Sequence, residues 1–319
     1  MKPPLLARPE VILTHESDLD GFVSGLILQR LAKQIFETDV ELQAYHYQGW
    51  KMRSLREDVA WVADFTFEAR MDRENWLVVD HHNTSTPVRQ AHWIHDPQKS
   101  AALLCYELAV THGLGSPRLE RLVHLTNLGD LFLENDPDFG LACDYASLVK
   151  TYGFWNLHLI LNGNLEALLD HPLLEVMKTK RLVEDPIGYA LAVTSQTELS
   201  PTIGTVRPPV GNTNLIVHQL LNTGDTKYSV LVSIYRKGMG NFVVSFRSRN
   251  GEALTVAQKF EGGGGHPNAA GAMLPRGINT YDDAIEFLRL RLNAAAIPAG
   301  HGPAMAGLNE AFTTLKWPA

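Results

Sequence analysis

The sequence predicts an α/β protein with a parallel sheet in its N-terminal part and a smaller α/β domain after it. Short apolar runs alternate with stretches of helical spacing, a pattern typical of parallel sheets covered by helices. The length of 319 residues exceeds what one typical core can hold. Proline, glycine and small polar residues become frequent around residues 185–214. We therefore predict two domains, residues 1–185 and 186–319.

The N-terminal domain is predicted to begin with a strand, a loop and a helix. An apolar run from Val11 to Leu13 breaks into the polar stretch "THESDLDG", and "FVSGLILQRLAKQIF" follows with helical spacing. Three further strands are predicted in "VELQAYHYQ", "VAWVADF" and "WLVVDHH". From Lys99 to about Arg181 most apolar spacing is helical. In parallel sheets of this kind, ligands gather beyond the carboxyl ends of the strands.

The C-terminal domain is predicted to mix helices and strands. Helical spacing appears in "NLIVHQLLN", "LTVAQKF" and "YDDAIEFLRLRL", and strand patterns appear in "YSVLVSIYR" and "NFVVSFRSR". The stretch "EGGGGHPNAAGAMLP" is predicted to form a glycine loop. The tail from about Ile297 is rich in alanine, glycine and proline, so we expect it to pack loosely.

Composition argues against a membrane or secreted protein. No apolar run approaches the roughly 18 residues that a membrane-spanning helix needs. The first residues lack the apolar region and cleavage site of a signal peptide. Cys105 and Cys143 show no metal-like spacing and are expected to be buried thiols in a reducing compartment. We predict a cytoplasmic protein.

Charge is distributed unevenly along the chain. The net charge of −7 argues against a general nucleic-acid coat protein. Residues 201–280 carry eight Lys or Arg and three Asp or Glu, whereas the rest carries 20 basic and 32 acidic residues. An acidic N-terminal body with a basic C-terminal part suits metal binding in the first and phosphate binding in the second. Ordinary solvated surface charge would produce the same asymmetry.

Several apolar stretches end in aspartate or histidine. So many convergent carboxylates would repel one another without a cation, and carboxylates with imidazoles suit Mn²⁺ or Mg²⁺ better than a thiolate-rich zinc site does. Taken singly, an aspartate after a strand is more often a helix N-cap, and a lone histidine is more often a satisfied internal one. Together, four such places favour a metal site. The residues are His15, Asp18, Asp20, Asp64, Asp80, His81, His82 and Asp130.

A second set of candidate residues lies in the C-terminal domain. Four consecutive glycines, Gly262, Gly263, Gly264 and Gly265, followed by His266, let backbone N–H groups approach an anion, although most glycine runs are simple turns. On a strand, Ser245, Arg247 and Arg249 would point to one face. Two arginines there could bind phosphate through paired hydrogen bonds or could be ordinary exposed residues. The neighbouring glycines favour phosphate.

These motifs resemble those of a known family. In this order, "HESDLDG", "ADF", "VVDHHNT" and "GDLF" resemble the four motifs of the DHH phosphoesterases. The later stretch "SFRSR…FEGGGGHPNAAGAML" resembles the DHH-associated domain of RecJ-type nucleases and of nanoRNase/pAp phosphatases. The resemblance spans roughly Val11 to Leu274.

The resemblance implies a site with two Mn²⁺ ions, with Mg²⁺ as the alternative. His15 and Asp18 would bind the first ion, although the spacing between the histidine and the first aspartate varies among relatives. Asp64 would bridge the two ions. Asp80 would orient histidine ligands, and His82 would face the scissile phosphate. The second ion would be bound by Asp20, His81 and Asp130.

The expected reaction is hydrolysis of phosphodiester or phosphomonoester bonds in short oligonucleotides or small nucleotides by water activated at two metals. His82 and His266 would add positive charge or a proton for the leaving group. The basic domain would bind the rest of the substrate across a cleft between the domains. No organic cofactor is needed.

Three alternatives remain open. A RecJ-like single-strand exonuclease would be expected to have a further nucleic-acid-binding domain and an aromatic, basic groove. A polyphosphate or pyrophosphate hydrolase would need more Lys and Arg near the metals. A non-catalytic scaffold would have lost metal-site acids, and all of them are present here. The sequence leaves open the substrate, the cleavage polarity and whether the protein is a homodimer.

Overall fold

The chain contains two sheets in two compact units. A computed structural model describes residues 6–236 and 241–293. The units are Met1–Leu182 and Val183–Ala319. A parallel sheet lies in the first and a mixed sheet in the second, which confirms the predicted fold class. The boundary after residue 185 and the cleft stay predictions, and the expected tail from Ile297 lies outside the described residues.

The sheet of the first unit has five parallel strands in the order β2-β1-β3-β4-β5. The strands are β1 (Val11–His15), β2 (Glu41–Tyr45), β3 (Ala60–Ala63), β4 (Leu77–Asp80) and β5 (His92–His95). The sequence analysis missed β5, because "HWIH" at the sheet edge is only partly buried and lacks a buried apolar run. The predicted strand "VELQAYHYQ" ends at Tyr45, where a short helix takes over.

Apolar cores cover both faces of this sheet. Ile12 and Val79 point into one core, whereas Leu13 and Val78 point into the other, as the two-residue period of a strand requires. The larger core is closed by helices. The helices of the first unit are α1 (Leu19–Phe36), α2 (Tyr47–Met52), α3 (Ala101–Val110), α4 (Pro117–Asp130), α5 (Phe139–Tyr152) and α6 (Phe154–Leu161).

Helix α7 (Leu173–Thr194) contains the point at which the two units divide. Helical spacing was recognised in the sequence only to about Arg181, but the helix continues through Pro186 to Thr194. A proline inside a helix removes one N–H and its ring crowds the carbonyl four residues earlier, so tertiary packing must hold the helix around it. Ala192 on this helix is fully buried in an apolar cluster of the second unit. The end of this helix therefore cannot be predicted from proline content alone.

The second unit has a six-stranded sheet in the order β10-β11-β9-β8-β7-β6. Only β7 and β8 pair in parallel among these described strands. The strands are β6 (Thr197–Ser200), β7 (Ile203–Thr205), β8 (Val230–Arg236), β9 (Phe242–Ser248), β10 (Gly264–His266) and β11 (Ala269–Met273). The helices are α8 (Thr213–Thr223), α9 (Glu252–Ala257) and α10 (Tyr281–Leu292).

Four of these strands were not predicted. Strands β6 and β7 are short and lie in the stretch that is rich in proline, glycine and small polar residues, and β10 and β11 lie in the predicted glycine loop. Glycine and alanine have low strand propensity, so the pairing of β10 with β11 and of β11 with β9 depends on tertiary contacts, which cannot be recognised from the spacing of apolar residues. Within residues 6–236 and 241–293, no helix combines the length and apolarity needed to cross a membrane.

Candidate functional site

The carboxyl ends of neighbouring parallel strands carry the candidate metal ligands. His15 ends β1, Asp64 follows β3, and Asp80 ends β4, with His81 next. Because β1, β3 and β4 are adjacent in the sheet, their carboxyl ends lie side by side. The structure brings the dispersed acids and histidines of the sequence into one region, in groups that lie on either side of Asp64.

The first group consists of His15, Asp18 and Asp64, whose ligand atoms lie within 4.8 Å of one another. His15 Nδ1 lies 2.8 Å from Asp18 Oδ2 and 3.5 Å from Asp64 Oδ2. Asp18 also caps α1, since its carboxylate accepts a hydrogen bond from the Gly21 N–H at 3.0 Å. The N-cap alternative is therefore correct for Asp18, and the cap itself places the carboxylate beside His15.

The second group consists of Asp20, His81 and Asp130. His81 Nε2 lies 3.4 Å from Asp130 Oδ2 and 3.9 Å from Asp20 Oδ2. The same nitrogen lies 3.7 Å from Asp64 Oδ1. Asp64 thus directs one oxygen at each group, which is the geometry expected of a bridging carboxylate.

Asp64 has a conformation and an environment that would be unfavourable without a ligand. Its φ of 58° lies in the left-handed region, which non-glycine residues adopt at a cost of about 1–3 kcal/mol. The residue is only 4% exposed, and its Oδ2 accepts no hydrogen bond from the described chain. A buried carboxylate oxygen without a donor fits a cation ligand, so the donors present suit divalent metal ions.

The electrostatics of the site depend on burial and on mutual repulsion of the acids. Burial raises the pKa of Asp64 well above its usual range, and repulsion from Asp18 and Asp20 adds to this. Burial also raises the pKa of Asp130, again with repulsion from these two acids. Burial lowers the pKa of His15, but attraction to Asp18 and hydrogen bonding outweigh it and raise the pKa to about 11. Clustered acids whose pKa values are raised in this way would be stabilised by a bound cation.

Asp20 is fixed by backbone groups that the sequence analysis did not identify. Its two carboxylate oxygens accept hydrogen bonds from the N–H groups of Ala101 and Ala102, each at 2.8 Å, at the start of α3. The residue is 1% exposed. Burial raises its pKa to about 6, although these backbone donors favour the charged form. Backbone N–H donors cannot be recognised from residue types in a sequence. The only indication of them was Ser100, the serine before the helix.

Asp80 and His82 form a hydrogen-bonded pair, and their ligand atoms lie within 4.8 Å of those of Asp64 and His81. Asp80 Oδ1 lies 2.8 Å from His82 Nδ1, and Asp80 Oδ2 accepts the His82 backbone N–H at 3.2 Å. Burial lowers the pKa of His82, but the hydrogen bond to Asp80 and attraction to the charges of Asp80, Asp20 and Asp18 together outweigh this, and the net pKa is raised. His95 Nε2 lies 3.0 Å from the His82 carbonyl oxygen. Asp80 is fully buried and thus orients the imidazole of His82.

In the second unit, Arg247 is a cation without a described anion. It lies on β9, and its Nε is buried and donates to no described residue. Burial lowers the pKa of the Arg247 guanidinium, with a smaller opposite effect from Tyr235. A buried cation of this kind is costly unless an anion joins it. Ser245 lies two residues earlier on the same face of β9.

The strand register places His266 in the same row as Arg247. His266 pairs with Ala269, and Ala269 pairs with Arg247 on β9. Directly paired residues of antiparallel strands point to the same face, so His266 and Arg247 share a face of the sheet, two strands apart. Gly264 likewise pairs with Gly271, which pairs with Ser245.

Two predictions for this region need correction. Gly264 and Gly265 are not loop residues but belong to the edge strand β10. Gly262 and Gly263 precede that strand, and Gly262 has a φ of 65°. Arg249 does not share the strand face, because β9 ends at Ser248, and its guanidinium donates to the Asn222 carbonyl oxygen at 3.3 Å. Its proposed contact with phosphate stays a prediction.

Comparison with known proteins agrees with this architecture. Residues 209–294 match the DHHA1 domain family. No curated protein matches the sequence.

Solved structures share the fold at low sequence identity. The pGpG-specific phosphodiesterase PggH from Vibrio cholerae has 16% identity and a TM-score of 0.52, with 88% of this chain and 98% of that chain covered. The DHH domain of a protein described as belonging to a family of ribosomal proteins has 13% identity and a TM-score of 0.52, with 89% and 86% covered. RecJ from Thermus thermophilus, solved with Mg²⁺, has 14% identity, 90% and 50% coverage, and a TM-score of 0.46, too low to add to the assignment. The chain therefore contains a DHHA1 domain at residues 209–294 and shares its fold with solved structures of DHH proteins.

Proposed function

We propose that this protein is a phosphoesterase that hydrolyses short oligonucleotides or small nucleotides with the help of two Mn²⁺ ions. The observation that carries the proposal is the position of Asp64 between two carboxylate–imidazole groups at the carboxyl edge of the first sheet, with one oxygen near His15 and the other near His81. Mg²⁺ is the alternative ion, because the same oxygen and nitrogen donors accept it. Bound at such a site, two divalent ions lower the pKa of a water molecule and stabilise negative charge on a phosphate.

The residues assigned to the metals follow from the two groups. One ion would be bound by His15 and Asp18, with Asp64 shared between both ions. His81 Nε2 is surrounded by carboxylates within 3.9 Å, so it is placed to serve as a nitrogen ligand of the other ion. Asp20 and Asp130 complete that second set.

His82 has the properties of a proton donor for the leaving group. Its hydrogen bond to Asp80 raises its pKa, which favours the protonated imidazolium at neutral pH. Asp80 also holds the ring in one orientation, as an aspartate does for a catalytic histidine. An imidazolium beside the departing oxygen would neutralise its charge and supply its proton.

The second sheet would bind a phosphate that is not cleaved. Arg247 offers a buried guanidinium without a described anion, and His266 lies in the same row of the sheet. Ser245 and Gly264 provide small side chains in the next row, so a phosphate could approach closely. This role requires the predicted cleft between the two units.

A short substrate is within the range of this fold. One structural neighbour is described as specific for pGpG, a dinucleotide. We propose that cleavage takes place in the first unit and phosphate binding in the second, and we expect this division to favour short chains. RecJ-like exonuclease activity and polyphosphate or pyrophosphate hydrolysis remain as alternatives that use the same metal chemistry.

The test is a Mn²⁺-dependent hydrolysis panel read as initial rate against chain length. Substrates are 5′-phosphorylated and unphosphorylated RNA and DNA oligonucleotides from dinucleotides to long strands, pAp, pyrophosphate and polyphosphate. We expect dinucleotides to trinucleotides to react fastest and loss of the terminal phosphate to slow them. Rates that rise with length would support a RecJ-like exonuclease. Activity confined to polyphosphate would support that alternative, and inactivity on every substrate would indicate a scaffold.

We also propose a cytoplasmic enzyme. Cys105 and Cys143 are both buried and form no disulfide, which fits a reducing compartment. That the protein forms a homodimer stays a prediction. Light scattering after size-exclusion chromatography measures the oligomeric state.

A further inference from the structure

The N-terminal turn of α3 is built around the carboxylate of Asp20. The first backbone N–H groups of a helix have no partner inside the helix. Here the Ala101 N–H donates to Asp20 Oδ2 and the Ala102 N–H to Asp20 Oδ1, both at 2.8 Å. The next N–H, from Leu103, donates to the Ser100 hydroxyl at 3.3 Å. The Ser100 side chain also bonds to Asp20 and lowers its pKa, which favours the charged form.

Asn127 fixes this turn from another helix. The Ser100 backbone N–H donates to Asn127 Oδ1 at 2.8 Å. Ser100 is fully buried, so its N–H would lose its hydrogen bond without the amide of Asn127. The orientation of the whole donor set that faces Asp20 therefore depends on one side chain of α4.

The same helix carries Asp130. Asn127 lies three residues before Asp130, so both side chains are on one side of α4 and one turn apart. Asp130 and Asp20 belong to the same group around His81. Helix α4 thus places one acid of this group directly and the other through Asn127 and the start of α3.

We propose that Asn127 is a positioning residue for the metal site formed by Asp20, His81 and Asp130. The inference rests on the proposed two-metal function and deepens it by naming what orients one of the two ligand sets. Asn127 touches neither a metal ligand side chain nor substrate through any described contact, so motif comparison has no reason to select it. Residues that orient metal ligands in this way typically change metal affinity about 10–100-fold when they are replaced.

The test is a calorimetric titration of metal-stripped full-length protein with Mn²⁺, together with thermal melting. The wild type is expected to bind two ions. Asn127→Leu is expected to weaken one of the two binding events about 10-fold or more and to leave the other unchanged. Asn127→Asp keeps an oxygen in the same place and is expected to bind both ions. If Asn127→Leu does not fold, Asn127→Ser is titrated instead, because its shorter side chain does not span the contact.

The matched control is Thr126→Val. Thr126 is the neighbouring buried residue of α4, and its hydroxyl donates to the Leu122 carbonyl oxygen at 2.8 Å. This variant is expected to melt at a lower temperature and to bind both ions as the wild type does. Equal loss of Mn²⁺ affinity in Thr126→Val and Asn127→Leu would overturn the inference, as would wild-type affinity in Asn127→Leu or failure of Asn127→Asp to retain binding.

The wild-type titration separates the two proposals. Wild-type protein that binds two Mn²⁺ ions but hydrolyses no substrate would overturn the proposed function, and the role of Asn127 would then be decided by the titrations alone. Wild-type protein that does not bind two ions would overturn both.

Discussion

At the residue scale, each unit contains a charged candidate residue whose protein environment leaves it incompletely satisfied. Asp64 combines a left-handed backbone with a buried oxygen that accepts no hydrogen bond in the described chain. Arg247 combines a buried guanidinium nitrogen with the absence of any described anion. Each of these features lowers the stability of the protein without a ligand. A ligand of opposite charge would remove that cost.

The first prediction concerns Asp64→Asn. Asparagine tolerates the left-handed backbone and removes the charge that repels Asp18 and Asp20. We expect the loss of repulsion to stabilise the folded, metal-free variant. Its melting temperature should rise by about 2–4 °C for each kcal/mol gained in the free energy of unfolding. We also expect hydrolysis to fall about 100-fold or more and bound Mn²⁺ to decrease. Melting curves, initial rates and metal analysis measure these effects; near-normal turnover in Mn²⁺ would rule out the bridging role.

The second prediction compares Arg247→Ala with Arg249→Ala. Hydrogen bonds between charged groups contribute about 1.5–3 kcal/mol, so loss of Arg247 should raise KM about 10–100-fold while Mn²⁺ content stays unchanged. Arg249 already donates to the Asn222 carbonyl oxygen, so its loss should raise KM less. Steady-state kinetics on a 5′-phosphorylated dinucleotide measure both. Equal loss of metal and substrate affinity in Arg247→Ala would contradict the division of roles between the two units.

At the element scale, the hairpin of β10 and β11 shows how small residues complete the second sheet. The hairpin places His266 in the row of Arg247, and this placement depends on the close pairing of Gly265 with Ala270. Gly265 has a φ of 134°, and an added Cβ would lie 2.6 Å from the Ala269 carbonyl oxygen. Only glycine fits this position without moving the strand.

The third prediction is that Gly265→Ala disrupts the hairpin. The clash and the positive φ should lower stability by more than about 1 kcal/mol and displace His266 from its row. The neighbouring Gly264→Ala is the matched control, because its added Cβ meets no described heavy atom within 4 Å. Thermal melting and KM for a phosphorylated dinucleotide are the measurements. Gly265→Ala protein with wild-type stability would show that β10 does not have this conformation.

At the scale of the whole molecule, the acid cluster couples stability to pH and to metal. The folded-state pKa of Asp20 is raised to about 6, and the pKa values of Asp64 and Asp130 are also raised. These groups therefore bind protons more tightly in the folded than in the unfolded chain, whose aspartates titrate near ~3.9. His15, with a pKa raised to about 11, acts in the same direction. Stability from all four is present at low pH and is lost as pH rises.

The fourth prediction is that metal-free protein is less stable at pH 8 than at pH 5. Over this range the carboxyl groups whose pKa values are raised lose their protons in the folded state. His15 loses its proton in the unfolded chain, whereas the folded chain keeps it. The folded state holds the excess of protons throughout, so the free energy of unfolding falls as pH rises. Glu57, whose pKa is lowered to about 2, titrates below this range and does not oppose the effect.

Added Mn²⁺ should restore stability at pH 8, because it binds the deprotonated carboxylates. Melting temperatures with EDTA and with Mn²⁺, each at both pH values, measure the effect. A metal-free protein that is more stable at pH 8 than at pH 5 would contradict the prediction.

The sequence by itself determined the class of the fold and most of the candidate ligands. Buried strands such as β1, β3 and β4 are short apolar runs, and the polar residues that follow them must lie at one edge of a parallel sheet. The sequence positions of Asp18 and Asp64 therefore predict that both lie in a common region. Local pattern suffices here because strand burial and strand direction are both encoded within a few residues.

Only the tertiary structure decided how those residues are held. The donors to Asp20 are backbone groups of α3, 81 and 82 residues along the chain, and such groups have no side-chain signature. Part of the glycine run forms strand β10 through pairing with β11, which itself pairs with β9. Packing in the second unit allows α7 to continue through Pro186. In each case a long-range hydrogen bond or buried contact outweighed the local preference of the residues, so sequence pattern alone could not report it.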